Sequence, residues 1–408
     1  MGRGADLAVQ RLTVTSSART RGPFTGKMSM ATGLLMRVAT TIHLPVAYLA
    51  SLTLRGWAGV VLGLAVLYLR QISTLSKSGK DSPCPPFGIV FRILYGLFGT
   101  QVAELVLGRM LHTPEDQPQA EQVGGTTATT VGDPELRVMM VPILGGAFGG
   151  NYSFLVWDEN DKDRRAICVD PADPYPVLRA AESAALNIQL LLTTHWHFDH
   201  SSGNATLRRK LGPSLQVVAS AEERGRTPAV NKRLQDAEVL SLGRLRVRGH
   251  SVPGHTKGSM VFEVFNAEAA PGAPTVAFTG DTLFCGGCGA LFECSAHTFH
   301  ASLQTLVQRL RPQTKIFPGH EYTEMLLQQA CQRNPNNDAA RSKLQQAKLL
   351  RSRKQPSIPT TLEEELSYNP QLRASPQELA MLCGCAQDDA PDEPTSMRDA
   401  LLRQQKRD

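Results

Sequence analysis

Beyond about Leu136 the apolar residues come in short runs separated by Gly, Pro, Asn and Asp, the punctuation of a chain that turns often. Runs near 138–144, 151–157 and 165–169 predict strands, the stretch near 174–186 predicts a helix, and Ile188, Leu190, Leu191 and Leu192 open another strand. Four more strands precede or lie between later polar loops, among them Leu245 to Val252, Thr275 to Phe278 and Lys315 to Phe317. Helices near 298–311 and 322–332 follow two of those loops. Strands interleaved with helices predict mixed sheets with helices outside, an α+β architecture, and argue against an all-β fold or a helix bundle. From Pro335 the pattern is mainly helical: Asn336-Asn337-Asp338 offers an N-cap before a run rich in Ala, Leu, Lys and Gln, and Ser375-Pro376-Gln377-Glu378 starts a further helix by the same logic.

The first third reads differently. Leu44 to Leu69 is an apolar stretch of 26 residues, interrupted only by Arg55 and small polar residues. About 20 apolar residues cross a bilayer, so a spanning helix is expected, with Arg55 costing about 2.5 to 3.5 kcal/mol; a buried helix is the alternative. A second apolar segment, Pro85 to Leu111, repeats Phe87, Phe91, Leu94, Phe98, Val102 and Leu105 at helical spacing, which suits an interfacial or hairpin helix. The expected organisation is a basic targeting or tail segment over 1–43, membrane-associated helices over 44–112, a flexible linker over 113–134, a main domain over 135–330 and a helical domain over 331–408. The basic, Ser- and Thr-rich start has the bias of an organellar presequence, so a mitochondrion or another organelle is the expected location.

Charge and cysteine content narrow the function classes. The net charge of +6 is uneven: ten Lys and Arg stand against Asp6 alone through Lys80, and 33 stand against 36 acids afterwards. The region beyond Lys80 is therefore not a basic nucleic-acid binder. Eight cysteines in 408 residues do not form a secreted disulfide scaffold, and a reducing compartment is the simpler expectation. Cys285 and Cys288 make a Cys-x-x-Cys with Cys294 nearby, a zinc or redox motif in isolation, but no second Cys pair stands at zinc-ribbon distance.

The chemistry is concentrated in Thr-Thr-His195-Trp-His197-Phe-Asp199-His200, directly after the Leu-rich strand. Imidazole and carboxylate at that density are the ligand set of an open catalytic site for zinc, iron or manganese, and burying so many polar groups without a common partner would be costly. Pro253-Gly254-His255-Thr256, Thr279-Gly280-Asp281-Thr282 and Pro318-Gly319-His320-Glu321 each follow a strand-like stretch, with Gly beside the polar residue to let the backbone turn. One sheet edge is expected to collect them. Two cations roughly 3.5 Å apart can share a water and bring its pKa near neutrality, so no Ser or Cys nucleophile is required.

In this order the motifs resemble the metallo-β-lactamase superfamily. Within it, Asn151-Tyr152-Ser153-Phe154-Leu155, Val169-Asp170-Pro171, Gly287-Cys288-Gly289, Gly319-His320-Glu321-Tyr322-Thr323 and Ser367-Tyr368-Asn369-Pro370 are similar to glyoxalase II, over roughly residues 136 to 408. The resemblance implies an αββα sandwich with a helical C-terminal domain. It also implies two divalent ions, zinc in first place with iron or manganese as alternatives. His195, His197 and His255 would hold one, Asp199, His200 and His320 the other, and Asp281 would bridge them, with Asp199 and Asp281 as the catalytic carboxylates. The implied reaction is hydrolysis of S-D-lactoylglutathione, or a related acyl-glutathione, to glutathione and a hydroxy acid. Tyr322, Phe292, Arg403 and Lys406 match positions that contact the substrate, whereas Ala290 stands where a basic residue normally pairs with a glutathione carboxylate. Losing one charge-assisted hydrogen bond costs about 1.5 to 3 kcal/mol, unless Arg341, Lys343 or Lys348 compensates. Two alternatives remain: a membrane-anchored scaffold or thiol-metabolite binder of low activity, and a one-iron persulfide dioxygenase using only the first triad.

Overall fold

The computed structural model describes residues 128–383, apart from 132, 145–149 and 224. The basic segment 1–43, the apolar segments within 44–112, most of the linker 113–134, and Arg403 and Lys406 lie outside the described residues. Among the described residues no helix is long and apolar enough to cross a membrane.

Two sheets face each other. The first, seven-stranded among the described residues, runs in the order β1 (Ala128–Val131), β2 (Asp133–Ile143), β3 (Asn151–Asp158), β4 (Arg165–Val169), β5 (Asn187–Thr193), β6 (Gln216–Ser220), β7 (Lys232–Leu234). It is antiparallel from β1 to β4 and parallel from β4 to β7. The second sheet contains β8 (Val239–Leu242), β9 (Leu245–Ser251), β10 (Met260–Asn266), β11 (Val276–Gly280), β14 (Lys315–Pro318) and β15 (Thr360–Thr361), ordered β15-β14-β11-β10-β9-β8. A two-stranded ribbon, β12 (Leu283–Phe284) and β13 (Gly287–Cys288), lies in the chain between β11 and β14. The hairpin β1–β2 begins inside the stretch expected as linker: Thr129, Thr130 and Val131 have the β-branched character that strands favour, and β1 pairs antiparallel with β2.

Side chains alternate across each strand, so each sheet feeds two cores. Phe154, Val156, Leu190, Leu192, Val276 and Phe278 enter the core between the sheets. Their neighbours Leu155 and Leu191 turn outward, against Val177 and Ala180 of α1 (Pro174–Ser183) and Leu207 of α3 (Asn204–Leu211). Ala277 turns to the opposite outside, against Phe299, Leu303 and Leu306 of α4 (Ala296–Arg309). Three cores between four layers make the expected αββα sandwich.

The C-terminal helices α5 (Thr323–Arg333), α6 (Asp338–Ser352), α7 (Leu362–Tyr368), α8 (Pro370–Arg373) and α9 (Pro376–Leu382) extend these cores and do not build another. Only Ala340 and Ala347 are buried on α6, too little apolar surface to support a separate unit. Leu327, Ala340 and Tyr368 join the inter-sheet core, while Leu362, Leu372 and Leu379 join the core under α4. The expected caps are in place: Asn337 accepts from Ala340 N, and Ser375 with Glu378 forms a capping box.

Candidate metal centre

The strands β5, β9, β11 and β14 all end at one edge of the sandwich, because β4 to β6 run parallel and β9, β11 and β14 share a direction in the second sheet. Backbone bonds stitch the two sheets there, Met260 N donating to Thr194 O (2.9 Å) and Tyr152 N to Gly319 O (2.9 Å), while Gly319 N to Gly280 O (3.0 Å) extends the β11–β14 pairing toward the site. Each strand then releases its polar loop into the same space. The chain after β5 turns at once into the short helix α2 (Phe198–Ser201), which is capped by His197 and carries Asp199 and His200 in its only turn.

All seven sequence-predicted ligands meet. His197 Nδ1 lies 3.0 Å from both His195 Nε2 and His255 Nε2. His200 Nε2 lies 3.3 Å from His320 Nε2, and Asp199 Oδ2 is 3.4 Å from His320 Nε2. Asp281 stands between the groups: Oδ1 is 3.2 Å from His200 Nε2 and 3.4 Å from His320 Nε2, while Oδ2 is 3.5 Å from His255 Nε2. Gly319 makes the crossing, since a Cβ there would sit 2.5 Å from His200 Cε1.

Whether these groups suit a cation is decided by where their hydrogens go. Ala290 O can only accept, so His255 Nδ1, 2.9 Å away, carries the proton and Nε2 turns a lone pair inward. Asp170 Oδ2 fixes His200 in the same way through Nδ1 at 2.9 Å. Thr194 Oγ1 gives its hydrogen to Asp170 Oδ2 (2.7 Å), leaving its oxygen to accept from His195 Nδ1 (3.1 Å). The inward lone pairs of His195 and His255 converge on His197 Nδ1 at 3.0 Å, an arrangement that suits a shared cation, and buried Asp281 Oδ1 faces the His200 and His320 imidazoles at 3.2 and 3.4 Å. Tying the outer nitrogen of a ligand imidazole is how metal sites fix tautomer and orientation. The site is a divalent metal centre.

Left to themselves, the two triads hold protons oppositely. Burial, then the neighbouring imidazoles, drives His195 and His197 well below the usual histidine range. Burial also lowers His255, against the pull of Asp281. In the second triad burial again disfavours charge, but the Asp281 and Asp199 carboxylates override it, raising His320 to about 9 and His200 well above its usual value. Asp199 and Asp281 are correspondingly held below the usual carboxylate range, despite their burial, by those imidazoles.

Around the ligands lie residues that the sequence marked without assigning a role. Asp170 backs both triads, directly through His200 and by way of Thr194 through His195. Asn151 Nδ2 donates to the backbone oxygen of Asp199 (3.1 Å) and to its Oδ2 (3.3 Å), orienting that carboxylate. Both stand at strand ends on the ligand edge, and that placement was the available signal. Phe292, 45% exposed, lies against His255 and His197 at ring separations of 4.9 and 5.8 Å. Glu293 anchors it by accepting from Trp196 Nε1 (3.1 Å) and Lys257 N (2.7 Å). Tyr322 stacks on His320 at 4.6 Å. The side chain of Ala290 faces solvent. Arg341 is paired with Asp338, and Lys343 lies 3.6 Å from Glu364 and over the Tyr368 ring, so both are engaged away from a compensating role.

Two family models and several known proteins match this chain. The family model for the metallo-beta-lactamase superfamily matches residues 146–320, and that for the hydroxyacylglutathione hydrolase C-terminus matches residues 321–406. A protein of Arabidopsis thaliana named cytoplasmic hydroxyacylglutathione hydrolase is 37% identical over 253 residues, covering 61% of this chain and 93% of that protein. A hydroxyacylglutathione hydrolase-like protein of Gallus gallus is 36% identical over 249 residues, 61% of this chain and 84% of the relative. Among solved structures, a metallo-beta-lactamase from Staphylococcus aureus subsp. aureus COL aligns at 21% identity and a TM-score of 0.43, covering 61% of this chain and 67% of that one. With nearly the whole length of the plant relative spanned at that identity, the chain belongs to the hydroxyacylglutathione hydrolase, or glyoxalase II, family of the metallo-β-lactamase superfamily.

Proposed function

We propose that the chain hydrolyses S-D-lactoylglutathione, or a related acyl-glutathione, to glutathione and the hydroxy acid, with two divalent ions, zinc by preference, one in each triad. The observation that carries this reading is Asp281, whose two oxygens reach toward different triads. A one-iron dioxygenase would have no use for the second set. Ions held there supply Lewis acidity and water activation at neutral pH.

The protein's own groups do the rest. Asp281 sets the spacing of the two triads, and Asp199, steered by Asn151, orients the attacking water. Phe292 and Tyr322 flank the cluster on opposite sides and frame the thioester, with the Tyr322 hydroxyl offered to the anionic glutathione moiety. Arg403 and Lys406, which match substrate-contacting positions of the family, are assigned to the same moiety. A thiol of pKa about 8.5 leaves without an acid, so the reading requires no proton donor at sulfur. In the same reading the apolar segments within 44–112 attach the enzyme to a membrane, in a mitochondrion or another organelle, with the catalytic part in a reducing compartment.

The test is an assay of the purified full chain, with its metal content measured, against S-D-lactoylglutathione and a set of acyl-CoA thioesters. Thiol release from the glutathione thioester with two metals per chain is the expected result. Bound metal without thiol release would leave the scaffold alternative standing, and one iron with oxygen consumption would leave the dioxygenase.

A further inference from the structure

The Cys-x-x-Cys of the sequence is not a pair in space. Cys285 Sγ faces the Tyr368 hydroxyl at 3.4 Å inside the inter-sheet core. Cys288, on β13, instead places its Sγ 3.9 Å from Sγ of Cys383, the residue that caps α9, across 95 positions of chain. We propose that Cys288 and Cys383 are a redox-modification site, at which a small disulfide of glutathione type installs an intramolecular disulfide between the substrate-side loop 287–290 and the end of α9.

The two thiols are unequal in the way such exchange requires. Cys288 is only 8% exposed, whereas Cys383 is half-buried at a helix end and is the one an incoming disulfide meets. The Cys288 thiol donating to it, helped by the Arg333 guanidinium, holds the Cys383 thiol below its usual range, while the interaction with Cys383 and burial raise Cys288. A cavity of about 430 Å³, whose lining includes Arg333, Arg373, Glu378 and Leu382, reaches the residue before Cys383, and its two guanidinium groups outweigh the Glu378 carboxylate for an anionic disulfide. The remaining described cysteines lack these features. Burial pushes Cys168 to about 12, and Cys294 rises to about 11 through burial and the nearby Glu293.

The exchange balances. The Cys383 thiolate attacks one sulfur of the small disulfide, whose S–S bond breaks, and one small thiol departs with a proton. Cys288 then loses its proton and attacks the Cys383 sulfur of the mixed disulfide, expelling the second small thiol. Two protein thiols are oxidised and one small disulfide is reduced to two thiols. The two sulfurs must close from 3.9 Å to about 2.05 Å, a displacement that rotation of the Cys383 side chain at the helix end and a pull on the loop can share.

The loop is coupled to the metal centre. Ala290 O, two residues on, holds His255 Nδ1 at 2.9 Å, and a Cβ at Gly289 would lie 1.9 Å from Asp281 O, so the strand end has no slack against the ligand loop. Drawing Cys288 toward α9 therefore shifts the carbonyl that orients His255. Reversible loss of turnover on oxidation follows. This consequence rests on the hydrolase reading; the bond itself does not.

The test incubates the metal-loaded full chain with oxidised glutathione over a range of oxidised-to-reduced ratios, then blocks free thiols, maps peptides by mass and assays thioester turnover. The expected result is a joined Cys288 and Cys383 peptide pair that retains no glutathione, with most of the turnover lost, and both effects reversed by dithiothreitol. C383S should keep full turnover when reduced and lose its sensitivity to oxidation. C288S should trap glutathione on Cys383, the signature of the proposed order. Cys288 remaining free throughout, glutathione persisting on Cys383 of the unmutated chain, or Cys383 joined to Cys385 would each overturn the site. A Cys288–Cys383 bond with undiminished turnover would overturn the coupling to His255. A reduced chain without turnover would defeat the hydrolase reading, while the peptide map still decides the pair.

Discussion

The two triads of the metal centre lie within one cluster but hold their ligands in opposite electrostatic conditions. His195, His197 and His255 form a neutral set, and the outer nitrogens of His195 and His255 are tied to a hydroxyl and a carbonyl. Burial strips their protons, so their lone pairs are ready at neutral pH. His200 and His320 face the carboxylates of Asp199 and Asp281, and His200 is backed by Asp170 as well, so both imidazoles hold protons until a cation displaces them. The comparison teaches that one pocket is preorganised by desolvation and the other by charge. A cation in the second pocket takes over the role that protons play without it.

The largest effect should come from Asp281→Ala, which removes the one carboxylate within 3.5 Å of imidazoles from both triads. Turnover is expected to vanish while the thermal unfolding transition remains cooperative; an active variant with normal metal content would mean that the triads work independently. Next, Asp170→Asn should weaken both pockets together, by about 10- to 100-fold in metal affinity as for other outer-sphere partners. A metal-buffered titration reads this, and a loss confined to the His200 side would break the proposed relay through Thr194.

Acidity should separate the pockets. Because His320 is raised to about 9, the proton-bound form of the second triad dominates below that pH, and a cation binds only the deprotonated form. Its affinity should therefore climb about tenfold per pH unit for each proton displaced, and the share owed to His320 should level off above about pH 9. The first triad, with histidines depressed below 6.5, should be nearly flat over the same range. Calorimetry in two buffers of different ionisation enthalpy would count the protons released by each metal, and equal counts would erase the contrast. The smallest effect is a gain: Ala290→Lys should lower KM for S-D-lactoylglutathione by about tenfold, the low end of what one charge-assisted hydrogen bond is worth, because the position is exposed to solvent. Its kcat should not change, since the Ala290 contact to His255 is made by the backbone. A kcat that falls instead would show that the loop cannot accept the side chain without disturbing the first triad.

Much of the site was legible because its ligands are short-range features. His195, His197, Asp199 and His200 declare themselves by density, and His255, Asp281 and His320 by position after apolar runs with a glycine beside each. The layered fold was readable for the same reason: Leu190, Leu191 and Leu192 go alternately to the inner and outer cores, as strand geometry demands. What escaped were relations between distant segments. Asp170 and His200 stand 30 positions apart, Asn151 and Asp199 stand 48 apart, and neither pair has a pattern that announces contact. The C-terminal helices have clear caps, yet their lack of a core of their own shows only once Ala340 and Ala347 are seen as the sole buried residues of α6.

By itself, then, the order of residues determined the kinds of elements, the alternation that buries one face and the identity of the atoms able to hold a cation, because these depend on side-chain chemistry and local backbone geometry. The tertiary structure alone decided which nitrogen of each histidine looks inward, which triad keeps its protons, and that Cys288 meets Cys383 and not Cys285. Those outcomes depend on burial and on distances of a few ångströms between remote parts of the chain, and Coulomb and hydrogen-bond energies at that range are set by the fold.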